Sequence, residues 1–236
     1  MRLAVLTTGS VRRRYFVDRL QQRFAVAKVL IETRDPPPPI PTDHPLDKAR
    51  NERESAHWYD GSPPKFDDIA ATEHHETLND PAAVASLRAL KPEVVLVYGT
   101  GPLGAEVLDC CRDGILNFHN GDPEEYRGLD CHLWPIYHRD FDALRMTLHR
   151  IEPELDTGAI VDRRPVPLSR GMPLADLRRA ACDLSVGMAL SALERFQESG
   201  GFDATPQSRK GRYYSYMPAV LKDICIRNFE RHTAAL

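Results

Sequence analysis

The 236-residue sequence lacks three features that would assign it to a special class of protein. No apolar run approaches the length of a membrane span, and the first one, Leu3–Leu6, stops too early for the apolar part of a signal peptide. The formal charge of −3 gives no broad attraction for polyanions. The five cysteines form no C-x-x-C pair, which is typical of reduced thiols. We therefore expect a cytoplasmic protein with neither a membrane nor a nucleic acid among its partners.

Strand and helix patterns alternate along most of the chain. The run Glu93–Tyr98 is almost wholly apolar, which is typical of a central parallel strand. The predicted strands are Arg2–Thr7, Val26–Glu32, Glu93–Tyr98, Gly114–Phe118, Leu144–Ile151 and Ala159–Pro165. The predicted helices are Val11–Phe24, Leu46–Tyr59, Pro81–Leu90, Leu103–Cys111, Cys131–His138 and Leu174–Gln197, with a further helix near the C-terminus. This order predicts an α/β fold with a doubly wound, mostly parallel open sheet.

The length suits one large domain, or one domain with a small appendage. We predict a catalytic domain over residues 1–198 and a C-terminal extension, packed on it, over residues 199–236. Six prolines between positions 36 and 45 predict a stiff, extended surface loop, because proline fixes the backbone and removes a hydrogen-bond donor.

Polar side chains follow two of the predicted strands, where α/β proteins usually bind their ligands. Asn117 and His119 lie at the end of an inner strand, and their alternate positions place both side chains on one side of the sheet. Asp156 comes after a later helix and strand, so the chain is long enough to return to the same edge. We therefore expect an amide, an imidazole and a carboxylate within reach of one another.

These three groups suit the transfer of an acyl group to an amine, without a metal or a covalent enzyme intermediate. When an amine attacks an activated formyl carbon, the carbonyl oxygen gains charge that an amide N–H of Asn117 can stabilise. His119 can accept the proton that the amine loses, because imidazole titrates in the useful range. Asp156 can orient His119 or favour its protonated form. Gly121 and Gly128 would let the backbone bend close to a ligand.

Three short motifs carry a resemblance to a known family. They are Asn117-x-His119, Tyr126-Arg127-Gly128 and Leu155-Asp156-Thr157-Gly158. At this separation they resemble the folate-dependent formyltransferases, which include methionyl-tRNA formyltransferase, glycinamide ribonucleotide formyltransferase and the sugar N-formyltransferases. The resemblance covers roughly residues 2–190 and is strongest over residues 93–165. It implies a Rossmann-like fold, 10-formyltetrahydrofolate as the formyl donor, and catalytic roles for Asn117, His119 and Asp156.

The same resemblance implies a folate pocket between two loops, with an acceptor site beside it. The cofactor-binding residues that it implies are Tyr98, Gly99, Thr100, Gly101, Pro102, Leu103, Ile151, Glu152 and Leu155. The substrate-binding residues that we expect are Gly9, Ser10, Arg12, Gly121, Tyr126 and Arg127. One position departs from the family pattern: Glu124 stands where many relatives carry a proline, which bears on the shape of the acceptor loop.

Simpler interpretations exist for several of these residues. Asn117 can cap a turn, His119 can be a loop histidine held by hydrogen bonds, and Asp156 before Thr-Gly suits a hairpin turn. Residues 12–14 are arginines at a predicted helix start, suited either to a phosphate or to a solvated basic face. The other histidines give no convincing ligand set, so we expect no metal; they include His74, His75, His132, His138 and His149.

The sequence therefore predicts an N-formyltransferase that moves a formyl group from 10-formyltetrahydrofolate to a primary amine on a small molecule. A nucleotide-linked amino sugar is the expected acceptor, because the Tyr-Arg-Gly loop and the single-domain size resemble the enzymes that use one. A tRNA acceptor is disfavoured, since the chain is acidic and short for the extra C-terminal domain of the tRNA enzymes. A free amino acid, peptide or polyamine is the alternative acceptor. A formyltetrahydrofolate hydrolase, a binding protein without turnover, and a homodimer are left open.

Overall fold

The computed structural model describes residues 1–111 and 114–236. Within these ranges the strands are β1 (Leu3–Thr8), β2 (Val26–Glu32), β3 (Thr72–His75), β4 (Val94–Tyr98), β5 (Ile115–His119), β6 (Tyr126–Gly128), β7 (Arg145–Arg150), β8 (Ile160–Pro165) and β9 (Arg212–Tyr214). The helices are α1 (Val11–Gln21), α2 (Pro45–Tyr59), α3 (Pro81–Leu90), α4 (Ala105–Leu108), α5 (Trp134–His138), α6 (Leu174–Ser199) and α7 (Ala219–Ala234).

Seven of these strands form one sheet, in the order β3-β2-β1-β4-β5-β7-β8. The strands from β3 to β5 are parallel, whereas β7 is antiparallel to both β5 and β8. Strands β1 and β4 lie near the centre, and every residue of β4 is buried, which explains its continuous apolar sequence. The α/β fold with a doubly wound, mostly parallel sheet is thus confirmed.

Helices cover both faces of this sheet. On one face α1, α2 and α6 pack together, and Phe16 of α1 and Leu193 of α6 are buried in a shared core. On the other face α3 and α4 bury Val84 and Val107. Alternate residues of β1 belong to the two cores, as the two-residue period of a strand requires.

The order of the parallel strands reverses between β1 and β4, which makes this the switch point of the sheet. The loop after β1 begins at Gly9, and the loop after β4 begins at Gly99. Strand β5, next to β4, ends at His119. Because the carboxyl ends of parallel strands meet at one edge, the predicted acceptor, folate and catalytic segments share that edge.

The structure contains one strand that was not predicted, and two predicted helices end earlier than expected. Strand β3 was missed because Thr72–His75 is polar. It lies at the edge of the sheet beside β2, so its side chains need not alternate in polarity. Helix α4 stops at Leu108, and the chain continues to Cys111 in single turns. Helix α1 ends at Gln21 rather than at Phe24.

The C-terminal residues attach to distant parts of the chain. Strand β9 pairs in parallel with β6 as a separate two-stranded ladder, and α7 packs on α5 and α6. The start of α7 also holds the proline-rich loop: the backbone N–H of Ala219 donates to Pro41 at 3.0 Å, and Lys222 Nζ donates to the carbonyl of Thr42 at 2.6 Å. The division into domains at residue 198 stays a prediction. In the described part of the chain, no helix combines the length and the apolar character needed to cross a membrane.

Candidate active site

Strand β5 presents Asn117 and His119 on one side of the sheet, beside two residues of β7. The antiparallel register places His149 opposite Asn117 and Thr147 opposite His119. Residues directly opposite in such a pair share a face, so all four side chains lie together. The hydroxyl of Thr147 donates to the carbonyl of Gly121 at 2.7 Å. Strand β7 therefore adds a second imidazole and also fixes the loop that follows His119.

Asp156 lies in the loop between β7 and β8 and reaches the end of β5. Its φ of +56° is left-handed, a conformation that Asp adopts more readily than most residues. Its Oδ2 accepts a hydrogen bond from the backbone N–H of Gly128 at 2.8 Å and lies 3.6 Å from Nδ1 of His119. The path of the loop requires Gly158, because a Cβ there would overlap the carbonyl oxygen of Arg150. The predicted imidazole and carboxylate are thus brought together.

One ring nitrogen of His119 is positioned to take up a proton. Nε2 lies 2.8 Å from the carbonyl oxygen of Tyr126, so Nε2 carries the hydrogen and donates it. Nδ1 faces Asp156 beyond direct hydrogen-bond distance. Burial lowers the pKa of His119 and outweighs Asp156, which raises it. His119 is therefore neutral near neutral pH, with its lone pair on Nδ1.

His149, which we considered only as a metal ligand, completes this group. Its Nδ1 lies 2.6 Å from the carbonyl oxygen of Arg150 and carries the hydrogen. Its Nε2 accepts from Nδ2 of Asn117 at 3.2 Å and lies 3.6 Å from Oδ1 of Asp156. His149 thus uses one of the two amide N–H bonds of Asn117. The sequence would indicate this role of His149 only if the pairing of β5 with β7 were already known.

Asp156 is ionised in the folded protein. Burial alone would raise its pKa, but the positive charge of His119 and His149 in their protonated forms, together with the backbone N–H of Gly128, more than offsets burial and lowers the pKa to about 2. A proton taken up by His119 would therefore sit beside a carboxylate that stays charged. Among the residues that the structure describes, no three His, Cys, Asp or Glu side chains are grouped to hold a metal ion.

In the loop after β4, the backbone is accessible to a ligand, whereas the side chain of Tyr98 is not. That side chain is 1% exposed, and the guanidinium of Arg13 lies 3.6 Å from its ring centre. Gly99 has a φ of +78°, and a Cβ there would collide with Arg13. Glycine is therefore needed at this position for the loop to pass over the arginine.

Two polar side chains fix the rest of this loop. The carboxylate of Glu32 accepts from the backbone N–H of Gly101 at 2.6 Å. The amide of Asn79 donates to the carbonyl of Pro102 at 3.0 Å and accepts from the backbone N–H of Gly104 at 2.6 Å. The predicted folate loop is thus held in one shape by residues outside it.

The other predicted wall of the folate pocket lies just before Asp156. Glu152 is exposed and Leu155 is 41% exposed. Ile151 is half-buried and packs on the same apolar cluster as Leu103 of the first wall. The two predicted walls therefore lie on the same side of the sheet, and their contact with folate stays a prediction.

Two of the expected acceptor-binding side chains are engaged by the protein itself. The hydroxyl of Tyr126 donates to Asp140 at 3.0 Å. Arg127 donates from Nε to the carbonyl of Gly211 at 2.8 Å and from Nη1 to that of Leu155 at 2.9 Å. Both side chains are buried, and Arg127 fixes the loop that carries Asp156.

The two glycines of the acceptor loop are required by packing within the protein. A Cβ at Gly121 would lie 2.8 Å from both Cys131 and the ring of His119. Gly128 has a φ of +95°, and a Cβ there would overlap the backbone of Tyr214. Their expected proximity to a ligand stays a prediction.

The expected phosphate residues Gly9, Ser10 and Arg12 follow β1 at the switch point. Gly9 borders open space, whereas the Ser10 hydroxyl is buried. Arg13 is 4% exposed, and Nε and Nη1 of Arg12 are buried as well. The alternative of a solvated basic face is therefore wrong for these two arginines. Their burial follows from the position of α1 against α6.

Glu124, the departure from the family pattern, ties the acceptor loop to two other segments. Its carboxylate accepts from the backbone N–H and the hydroxyl of Ser208 at 2.5 and 2.7 Å, and from Nη1 of Arg163 at 2.6 Å. These hydrogen bonds lower the pKa of Glu124 to about 2. Arg163 also binds Asp122 of the same loop at 2.7 Å. A charged network thus holds the loop at Glu124.

Gln207 from the C-terminal segment also acts on the site, although no sequence motif includes it. Its Nε2 donates to the carbonyl oxygens of Asp156 and Gly158, at 3.0 and 2.9 Å. Both N–H bonds of one amide therefore hold the left-handed turn at Asp156. No sequence motif indicates this role of Gln207, because the partners of its side chain are backbone carbonyls about fifty positions away.

The chain is similar in sequence to known formyltransferases. The family model described as Formyl transferase matches residues 43–189. Methionyl-tRNA formyltransferase of Ralstonia pickettii (strain 12J) is 31% identical over 159 residues, which are 65% of this chain and 46% of that protein. The chain thus spans about half the length of the curated relatives that it matches.

Solved structures show the same fold at low identity. Glycinamide ribonucleotide transformylase 1 from Symbiobacterium toebii superposes with a TM-score of 0.58 at 21% identity, covering 84% of this chain and 88% of that one. The formyltransferase PseJ from Anoxybacillus kamchatkensis, in complex with UDP-4,6-dideoxy-4-formamido-L-AltNAc and tetrahydrofolate, gives 0.54 at 14%, covering 90% and 85%. Because the family model covers more than half of the chain, including Asn117, His119 and Asp156, the chain belongs to the formyl transferase family.

Proposed function

We propose that this protein is an N-formyltransferase that moves a formyl group from 10-formyltetrahydrofolate to a primary amine. The observation that carries the proposal is the convergence of Asn117, His119 and Asp156, with His149 between the amide and the carboxylate. An amide donor, a neutral imidazole and an ionised carboxylate in one place are the groups that this reaction needs.

The loop between Gly99 and Gly104 fits the folate. It is exposed and held in one shape by Glu32 and Asn79. In the described part of the chain, the backbone groups of Thr100 and Leu103 make no hydrogen bond to protein atoms. They are therefore available to the polar edge of a pterin ring, and 10-formyltetrahydrofolate would supply the formyl carbon there.

Each catalytic side chain has a separate task in this proposal. The second amide N–H of Asn117 donates to the formyl oxygen as negative charge develops there, since His149 occupies the first. Nδ1 of His119 accepts the proton that the attacking amine loses. Asp156 stays ionised and stabilises the resulting imidazolium, while its hydrogen bond from Gly128 keeps it in place.

For the acceptor we propose a nucleotide-linked amino sugar. Support comes from the buried guanidinium of Arg12 beside the switch point, and from PseJ, which shares the fold and is described with a UDP-linked formamido sugar. The curated relatives are methionyl-tRNA formyltransferases, so methionyl-tRNA belongs in the test together with amino acids and polyamines. The cytoplasmic location stays a prediction.

The test is a transfer assay with purified protein, 10-formyltetrahydrofolate and this panel of amines. The formation of tetrahydrofolate is monitored over time. We expect transfer to a nucleotide-linked amino sugar. Asn117→Ala should lower kcat by about 10²- to 10³-fold, the usual effect of losing one oxyanion donor. His119→Ala should lower it at least as much, and His57→Ala, at an exposed position on α2, is the matched control.

Three results would contradict the proposal. Near-native turnover by Asn117→Ala or His119→Ala would remove the catalytic assignment. Formate release that needs no amine would identify a hydrolase. Tight folate binding without transfer to any amine would identify a binding protein.

A further inference from the structure

A surface cleft between the end of α5 and the last turns of α7 is lined by cationic side chains. Its cavity has a volume of about 130 Å³ and is lined by Arg139, Phe141, Asn228, Arg231 and His232. This volume is many times the roughly 10–15 Å³ that one water molecule needs, so a polyatomic ligand fits. None of these five residues belongs to the catalytic group, so the cleft is a place of its own.

The cations of this cleft have no partner within the described ranges of the chain. There, the side chains of Arg139, Arg231 and His232 make no ion pair and no hydrogen bond. The contrast with Arg178 is clear, because its Nε lies 2.6 Å from a carboxylate oxygen of Glu54. Positive charge is thus concentrated in this cleft, although the formal charge of the chain is −3.

The backbone and the packing hold two of these side chains at the cleft. The imidazole of His232 is stacked on the ring of Phe141, with 3.8 Å between the ring centres and 5° between their planes. Arg139 follows the last residue of α5 at a φ of +61°, a left-handed conformation in which glycine is the usual residue. Such conformations of other residues are concentrated at ligand-binding sites.

The end of α5 does not use these guanidinium groups. Nδ2 of Asn228 donates to the carbonyl oxygens of Ile136 and Tyr137, at 3.1 and 3.5 Å. The backbone N–H of Arg139 also donates to the carbonyl of Ile136, at 3.1 Å. The carbonyl groups that arginines often bind at the end of a helix are therefore already satisfied, and both arginines of the cleft are available to a ligand.

The cleft lies next to the segment that positions the acceptor loop. Asp140, which directly follows Arg139, accepts from the hydroxyl of Tyr126 at 3.0 Å. The carbonyl of Tyr126 accepts from Nε2 of His119 at 2.8 Å. A ligand on Arg139 would therefore bind beside a residue that is two hydrogen bonds from the catalytic imidazole.

We propose that Arg139, Arg231 and His232 form a binding site for an oxyanion, namely a phosphate group. The guanidinium groups supply paired, charge-assisted N–H donors that match phosphate oxygens, and a ring N–H of the imidazole adds a further donor. A small ligand fits better than a nucleic-acid backbone, which needs cations along a row of successive phosphates rather than around one cleft. This site goes beyond the proposed function, which uses none of the three residues.

Binding of inorganic pyrophosphate to the folate-free protein tests this site, by isothermal titration at constant ionic strength. We expect saturable binding that weakens at least about tenfold in Arg139→Gly and in Arg231→Gln, since each loses one charge-assisted contact. Arg34→Gln is the matched control, because it removes one exposed arginine from the segment after β2. Its affinity should equal that of the unmodified protein.

Arg139→Gly separates a binding role from a structural one. Glycine adopts the left-handed φ without strain, so the melting temperature should stay the same or rise while pyrophosphate binding is weakened. Phenyl phosphate, titrated in the same way, distinguishes the sources of the phosphate group. Binding that is tighter than that of inorganic phosphate supports a phosphate carried by an organic ligand, and weaker binding supports the free ion.

Four results would overturn the inference. They are the absence of saturable binding, equal affinities in the Arg139, Arg231 and Arg34 variants, a large drop in the melting temperature of Arg139→Gly, and binding of tRNA without binding of pyrophosphate. Because no folate and no formyl transfer enter these measurements, their failure would leave the proposed reaction standing.

Discussion

Asp156→Asn offers a test of the charge at the centre of the site. Asparagine keeps the shape of the side chain, tolerates the left-handed φ of +56° and still accepts from the N–H of Gly128, so mainly the charge is lost. The pKa of Asp156 is lowered from 3.8 to about 2 in the folded protein. At about 1.4 kcal/mol per tenfold change in acidity, the ionised form contributes about 2 kcal/mol to the free energy of unfolding.

The sign of the pH dependence follows from the direction of this shift. A carboxyl whose pKa is lower in the folded state stabilises the protein above its unfolded pKa and loses that contribution as the pH falls through its folded pKa. At about pH 7 the variant should therefore be less stable by about 2 kcal/mol, and the difference should shrink steadily between about pH 5 and pH 2.

Equilibrium urea unfolding, followed by circular dichroism at several pH values, measures this difference. Asp203→Asn, at an exposed position, is the control and should show no such convergence. A stability difference that is the same at about pH 7 and pH 3, or that is absent at about pH 7, would refute the assigned charge of Asp156.

Three further substitutions probe the surroundings of the site. His149→Ala removes the partner that Asn117 and Asp156 share, so kcat should fall by about 10- to 100-fold, which raises the activation free energy by about 1–3 kcal/mol. The KM for folate should change little. An unchanged kcat in steady-state kinetics would exclude this role of His149. Gln207→Ala frees two loop carbonyls, and hydrogen–deuterium exchange should speed up around residues 154–158, while unaltered exchange would contradict the clamp. Gly128→Ala forces a Cβ onto the backbone of Tyr214 at a φ of +95° and should destabilise the protein by at least about 2 kcal/mol. A wild-type melting curve would contradict this contact between Gly128 and Tyr214.

The parallel core of the sheet was predictable because burial on both faces leaves a continuous apolar run. Val26–Glu32 and Pro81–Leu90 have the same bounds in the structure as in the sequence prediction. In the second case proline at the first helical position and Lys91-Pro92 after the last define both ends. Local sequence determines such elements, because the signals that define their ends lie within them or next to them.

Short strands that depend on a distant partner were not predictable. Strands β6 and β9 have three residues each and exist through their pairing with one another, across more than eighty positions. Their residues show no clear alternation, because Tyr126 and Arg127 are both buried by other contacts. Pairing over such a separation is a property of the fold and not of either segment.

In the site, the motifs indicated which residues lie near the catalytic group. They did not indicate which partner each side chain contacts. The predicted convergence of His119 and Asp156 is seen in the structure, whereas Tyr126 and Arg127 contact protein where we expected substrate. A motif gives residue identity, but the partner of each side chain depends on the segment that packs on it. For Arg127 that segment is the C-terminal region, which lies outside every motif.

A crystal structure with bound tetrahydrofolate tests whether one cleft joins the folate loop to the catalytic side chains. We expect the pterin against the backbone of residues 99–103, and N10 of the folate within hydrogen-bonding reach of Asn117 and His119. Folate bound at another edge of the sheet, or with N10 directed away from these two side chains, would contradict it.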